Sequence, residues 1–417
     1  MTISSATFTR RQIVALLGAS TTLAALPSYA RTIAPAPASA ANALLDDVAW
    51  NLLRHEPERA TGLGVDTDAH AGMRALLRDP SPAGLAAYAD TLRHDLARVR
   101  AFDRTGIDAG SRTSLAVVES AYATALEGFA QPYGDVAVGG WRNTPYVVIQ
   151  NVGGYLDLPR FLDADHPIRE AADAEAALSR LAAMPAYLDA ELERISDAAG
   201  KGLIPPDFLL DKAIPQMEST LADARAGGAL VESITRRTAD AKIAGDWAAR
   251  AQPLVAKGIA PALERQLAEL KRQRTLAKSD AGMWAQPQGD GWYRWGLKAS
   301  TTTAMTPEDI HQMGLTQLDE IHARMDPILR SIGYTSGPVG ERMTALGTDP
   351  RFMFADGDPG RAEIMAFIQQ RIDWIKAQMP RAFSTLVPGN LEVRRLPLSE
   401  EPGAPTAYGG AGSKDGK

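Results

Sequence analysis

Chemistry in this chain has to rest on histidines, carboxylates, hydroxyls and aromatic rings, because its 417 residues include six His and no Cys. Without a thiol there is no disulfide, no thiolate nucleophile and no sulfur ligand for zinc, so any metal would depend on His and carboxylates. A zinc hydrolase site of the His-Glu-x-x-His type needs two His one helical turn apart, so that both imidazoles reach one ion, with the Glu as general base. His55-Glu56-Pro57-Glu58-Arg59 begins that pattern, but Arg59 occupies the place of the second His and Pro57 interrupts the helix. His311 and His322 share a helix face, yet their spacing of about three turns separates them by about 16 Å along the axis, too far to hold one ion. Asp319, Glu320, His322 and Asp326 read as a solvated face. His70, His94 and His166 stand singly in polar or loop-like surroundings, with no partner visible. No Gly-x-Ser-x-Gly elbow anchors serine hydrolysis, and Glu400-Glu401 reads as a solvated pair in a Pro/Gly-rich tail.

The most informative stretch is residues 292–314, where the aromatic cluster Trp292, Tyr293 and Trp295 runs into Thr301-Thr302-Thr303 and then into a helix start. Thr306 suits the N-cap, and Pro307 suits the first helical position, where its missing N–H costs nothing. Glu308 and Asp309 place carboxylates against the positive end of the helix dipole. By themselves these signals establish a helix. As a functional segment the aromatics would line apolar subsites for a peptide or other small substrate, whereas their structural alternative is core packing.

The order of these pieces resembles a bacterial helical family, domain of unknown function 885. The residues that carry the likeness are Gly291, Trp292, Tyr293, Thr301, Thr302, Thr303, Thr306, Pro307, Glu308, Ile310, His311, Gly314 and Leu315. Where the family has His before the three Thr, this chain has Ser300. Weaker likeness extends over residues 42–417, through Asn151–Leu156, Arg180-Leu181, Met184–Leu188 and Leu391–Arg395. The resemblance implies a zinc-peptidase-like hydrolase. Longer members continue past a Tyr and an Asp-Gly loop, here Tyr408 and Asp415-Gly416, into a His-Glu-Gly-x-Pro-Gly-His-His motif that this sequence lacks. It therefore implies zinc for full-length relatives, none for this chain, and an N-terminal portion that is inactive alone. The residues expected along the substrate approach are Trp292, Tyr293, Trp295, Thr301, Thr302, Thr303, Arg394 and Tyr408. A periplasmic binding or scaffold protein using the same cleft without catalysis is the alternative, as is an enzyme whose constellation is not legible from sequence.

These residues need elements to position them, and helical periodicity dominates nearly everywhere. Helices are expected over 42–56, with Pro57 as a stop, and over 83–101, 111–130 and 170–199, the last bent or split at Pro185. Others are expected over 212–226, 228–241, 245–276, 307–331 and 360–384. Only 391–398 resembles a strand. The expected fold is mainly α: a multi-helix scaffold with a cleft and at most a small β element. Two Gly-Gly turns, at Gly139-Gly140 and Gly153-Gly154, flank the apolar run Tyr146–Ile149. Neither has the spacing of a nucleotide-binding loop or clearly opens a helix after a strand, so each reads as a turn with an aromatic wedge or a cleft-lining loop.

The charge balance, 44 basic against 50 acidic residues, implies no basic surface and argues against a nucleic-acid partner. At the N-terminus, Arg10-Arg11, an apolar run from Ile13 to Leu26 and the small residues Ser28 and Ala30 read as a twin-arginine signal peptide over 1–30. The 14-residue run is too short for a permanent span, which needs roughly 20 residues. The expected product is periplasmic or secreted through the twin-arginine export machinery, with residues 31–41 as a disordered Ala/Pro leader and 42–417 as the helical domain.

Overall fold

The computed structural model describes residues 36–384 apart from 141, together with 386, 391 and 393. All regular structure among the described residues is helical, as the periodicity dictates, and the expected β element near 391–398 lies almost wholly outside them. The chain divides between Thr302 and Thr303 into two compact units.

In the first unit, α1 (Ala36–His55) begins ahead of Asn42, inside the stretch expected as a leader, and buries Ala41, Leu45, Val48, Leu52 and Leu53. Pro57 does end α1, but it is also the first residue of a short helix, α2 (Pro57–Gly62), where its missing N–H is harmless. After a 3-10 stretch (Asp68–Ala75), α3 (Pro82–Ala101) and α4 (Ala109–Phe129) start on caps that sequence supplies: Ser81 accepts from the Gly84 N–H and Asp108 from the Ser111 N–H. These elements close around a first core that includes Leu92, Val99, Leu115 and Tyr122.

A second core holds Leu158, Leu181, Met184, Leu188, Leu210, Met217, Leu263 and Leu270. It is enclosed by α5 (Gly154–Ala164), α6 (Ala171–Gly200), α7 (Asp207–Ala226), α8 (Gly228–Asp240), α9 (Trp247–Pro253) and α10 (Ala260–Arg274). Two expectations are corrected here. Of the bend or split expected at Pro185, the split is absent: helix α6 runs through the proline, with a neighbouring backbone turn laid against its ring, where a Cβ on Gly258 would stand 3.2 Å away. The single helix expected over 245–276 is instead interrupted by a π-helical segment, Leu254–Ile259. Pro253 and Pro261 flank it, and each lacks the N–H that would otherwise enforce α-helical pairing there. The unit ends with α11 (Gly289–Thr301), so the aromatic segment is itself a helix.

The second unit comprises α12 (Pro307–Ser331), α13 (Val339–Gly347) and α14 (Gly357–Ala382). The entry to α12 is a full capping box: Thr306 Oγ1 accepts from the Asp309 N–H (3.1 Å) and Asp309 Oδ2 accepts from the Thr306 N–H (3.1 Å). Among its described residues only Leu329, Arg342 and Gly360 are buried. The guanidinium of Arg342 ties α13 to α12 by donating to Asp326 Oδ1 (2.6 Å).

Candidate functional site

The structure separates the aromatic residues singled out by sequence. Trp292 and Trp295, three apart on α11, bury one face of the helix and meet edge to face, 5.4 Å between centroids. Trp295 packs on α4, where its Nε1 donates to the Thr124 carbonyl (2.8 Å), and Lys298 extends the same contact with an ion pair to Glu127 (2.7 Å). Trp292 lies against Gly134, where an added Cβ would stand 2.8 Å from the indole Nε1 and 2.8 Å from the Thr144 carbonyl oxygen. Tyr293 points away and is half exposed.

The three threonines follow at the end of α11. Thr301 Oγ1 donates to the Leu297 carbonyl (2.8 Å) and Thr302 Oγ1 to the Thr301 carbonyl (2.7 Å). Thr302 caps the helix in the left-handed region, φ 56°, unusual for a β-branched residue. Arg394 and Tyr408 lie outside the described residues.

Sequence reasoning missed a buried polar network built on α6. Its residues Arg180, Tyr187, Glu191 and Arg194 share the helix face that also carries Met184 and Leu188. Asp135 is clasped by two arginines, Arg78 Nη2 on Oδ2 (2.9 Å) and Arg194 Nη2 on Oδ1 (3.0 Å). Burial alone would raise the Asp135 carboxyl, but Arg78 and Arg194 hold it down at about 2. Arg78 also donates through Nε to Tyr187 Oη (3.0 Å), and its backbone N–H reaches Glu58 (3.1 Å). Glu191 closes the network: both its oxygens accept from the Gly154 N–H (3.0 and 3.1 Å) and one from Gln266 Nε2 (3.2 Å). Burial pushes the Glu191 carboxyl up to about 7.

This network explains the second Gly-Gly turn, which opens α5 with no strand before it among the described residues. Gly153 sits at φ 131°, and a Cβ on Gly154 would stand 2.7 Å from the Tyr187 ring. Glu191 takes the place an anionic ligand would occupy at the start of α5. The turn is held outside by a two-residue bridge between Ile149 and Val152 and by a bond from Arg142 to the Asn151 carbonyl.

His166, read as partnerless, is fully buried and bonded at both nitrogens. Arg180 Nη1 donates to Nδ1 (2.7 Å), so the ring is the neutral Nε2–H tautomer and donates to the Asp173 carbonyl (2.9 Å). Burial is the main influence that lowers its pKa, to about 4. Arg180 itself hydrogen-bonds uncharged groups, His166, Thr61 Oγ1 (2.8 Å) and the carbonyls of Leu76 (2.8 Å), Met73 and Pro57, and lies over the Phe161 ring.

The remaining histidines are dispersed. His55 stacks on Tyr88 and His70 on Trp50, while His94 and His311 are exposed. Asp326, read as part of a solvated acidic face, instead pairs with Arg330 and Arg342. Among the described residues no group of three or more His, Asp or Glu is arranged to hold a metal ion, so they do not fit the zinc site that the resemblance implies. No described helix is long and apolar enough to cross a membrane. A shallow groove between α7 and α10 is bridged by ion pairs, Arg225–Glu264 (3.0 Å) and Lys271–Glu218 (2.6 Å).

Two solved structures share this fold. A protein of Colwellia psychrerythraea, provisionally described as a lipoprotein, superposes with a TM-score of 0.79 at 23% identity over 88% of this chain and 64% of its own. One of Shewanella oneidensis, provisionally described as a lipoprotein of unknown function, gives 0.53 at 15% identity over 83% of this chain and 58% of its own. The chain thus spans less than two thirds of either relative. No curated protein sequence matches it. The model of the bacterial proteins of unknown function designated DUF885 matches residues 57–417, and the chain belongs to that family.

Proposed function

We propose that this chain is the helical scaffold of an exported, zinc-peptidase-like hydrolase, and that the metal ligands are not among its described residues. The observation that carries the reading is the second unit, which presents apolar helix faces with almost no core of its own. Leu318 and Ile321 on α12 are each 47% exposed, and Trp374 on α14 is 61% exposed. Helices patterned in this way are built to be covered. The capped helix α12 also carries much of the family likeness, and the fold relatives have substantially longer chains. In this reading Tyr293 and the Thr301-Thr302 end of α11 line the approach for a peptide or other small substrate.

The test compares the 417-residue chain with a version extended through a His-Glu-Gly-x-Pro-Gly-His-His segment. Elemental analysis after dialysis measures zinc, and mass spectrometry of a mixed-peptide digest measures cleavage. Zinc and chelator-sensitive cleavage in the extended form only support the proposal. Their absence from both favours a non-catalytic binding scaffold. One tightly held zinc with cleavage in the short form overturns the placement of the ligands.

A further inference from the structure

Glu191 lies on the buried face of α6 at 2% exposure, and every group it directly bonds is uncharged. Neither nearby arginine donates to it: Arg78 bonds Asp135 and Tyr187, while Arg194 bonds Asp135 and the Gly134 carbonyl through Nη2 and leaves Nη1 without a partner. A carboxylate removed from water without an ion pair is costly, and the cheapest relief is to keep a proton. The start of α5 pulls the other way, because its positive end favours an anion against the Gly154 N–H.

The groups that face Glu191 come from every element packed around it. They are the Gly154 N–H and Tyr155 on α5, Tyr187 and Arg194 on α6, and Gln266 on α10. Arg78 before α3 completes the set and in turn bonds Glu58 on α2 and Asp135 between α4 and α5. Opposed influences of this kind leave the two protonation states close in energy around neutral pH.

The turn Ile149–Val152 lies at the surface immediately before Gly153, closed by two backbone bonds (3.0 and 3.2 Å), with Asn151 exposed. Three buried polar atoms lack partners here, Oε1 of Gln150 in the turn and, in the network, Nη1 of Arg194 and Oε1 of Gln266, so water entering would satisfy groups that now go without.

From this arrangement we propose that Glu191 is a proton-controlled latch on the Gly153-Gly154 turn: the neutral acid keeps the turn and the start of α5 packed against Tyr187, and ionisation loosens them. Loosening lets the anion regain hydration at the cost of one bridge and the first turn of α5, while the α6–α10 core stays closed. The device is independent of any metal and responds over a range that an exported protein meets.

The test is hydrogen exchange at the Gly154 and Tyr155 amides of the intact chain, corrected for intrinsic rate, in wild type and Glu191→Gln. A carboxyl that moves from its ordinary range in the open turn to neutrality in the closed one predicts about a tenfold loss of protection from about pH 6 to about pH 8. Glu191→Gln should abolish that loss, and α10 amides should hold steady. Carbon-13 observation of the Glu191 carboxyl supplies a second readout that needs no variant, with a midpoint near neutrality expected. Constant protection in wild type, an equal loss in Glu191→Gln, or a midpoint in the ordinary carboxylate range would each overturn the proposal.

Discussion

The Trp295 indole rests directly on the Cα of Gly128, so that a methyl group placed there would overlap the ring. This contact sets how closely α11 approaches α4, and it explains why an aromatic-rich helix with a modest buried face docks firmly. Gly128→Ala should therefore act as overpacking and destabilise the first unit by about 1–3 kcal/mol. The shift in a urea unfolding midpoint at constant slope measures it. A neutral effect would mean that α11 gives way easily, and that Trp295 is not the anchor of this contact.

Helix entries were legible because capping is local chemistry. Thr306, Pro307 and Asp309 specify the start of α12 within four residues, and the helix runs from Pro307 to Ser331 as the periodicity requires. The network on α6 was not, because its partners come from far along the chain: Arg180 bonds Thr61 and His166, and Glu191 bonds Gly154 and Gln266. A signal was nonetheless present. Arg180, Glu191 and Arg194 fall on the same helical stripe as Leu181, Met184, Tyr187 and Leu188. Charges at core positions of a helix require buried partners. Sequence could therefore announce a buried network without naming its members. The π-helical interruption had its signal too, in the prolines at 253 and 261.

The pH dependence of stability follows from two buried groups with opposite signs. His166, lowered to about 4, binds fewer protons folded than unfolded. Its contribution is complete above about pH 6.5 and is lost as pH falls toward 4. Glu191, raised to about 7, binds more protons folded. Its contribution is complete below the ordinary carboxylate range and is lost as pH rises through 7. Between about pH 4.5 and 6.5 the two slopes oppose, so wild-type stability should vary little there. Glu191→Gln leaves the His166 slope exposed, and stability should then rise with pH by up to about 1.4 kcal/mol per unit. His166→Gln should give the reverse slope. Asp135, at about 2, acts below this window. Parallel slopes in the two variants would contradict the assignment.

Export is testable without reference to fold. Replacing Arg10 and Arg11 by Lys should trap precursor in the cytoplasm, whereas wild type should yield a periplasmic product beginning at Arg31. N-terminal sequencing of both fractions decides it, and a periplasmic product that retains Met1 would contradict the signal-peptide reading.

The exposed faces of the second unit lead to the last prediction. On α12, Ile310, Leu318, Ile321 and Ile328 recur at helical spacing, and Ile328 is 62% exposed. On α14, Ile364, Phe367, Trp374 and Ile375 are likewise exposed. Soluble monomers rarely leave contiguous apolar helix faces open to water, because each buried leucine or isoleucine is worth about 1.5–3 kcal/mol relative to exposure. The 417-residue chain should accordingly self-associate at micromolar concentration and bind a dye that reports apolar surface. Glu at positions 318 and 321 (Leu318→Glu with Ile321→Glu) should reduce both. Because these sites are exposed, the change should cost the isolated chain under about 0.5 kcal/mol each. Sedimentation velocity across a concentration series reads the association, and dye fluorescence reads the surface. If the wild type is a monodisperse monomer with little dye binding, the faces need no cover, and the non-catalytic binding-scaffold reading is favoured instead.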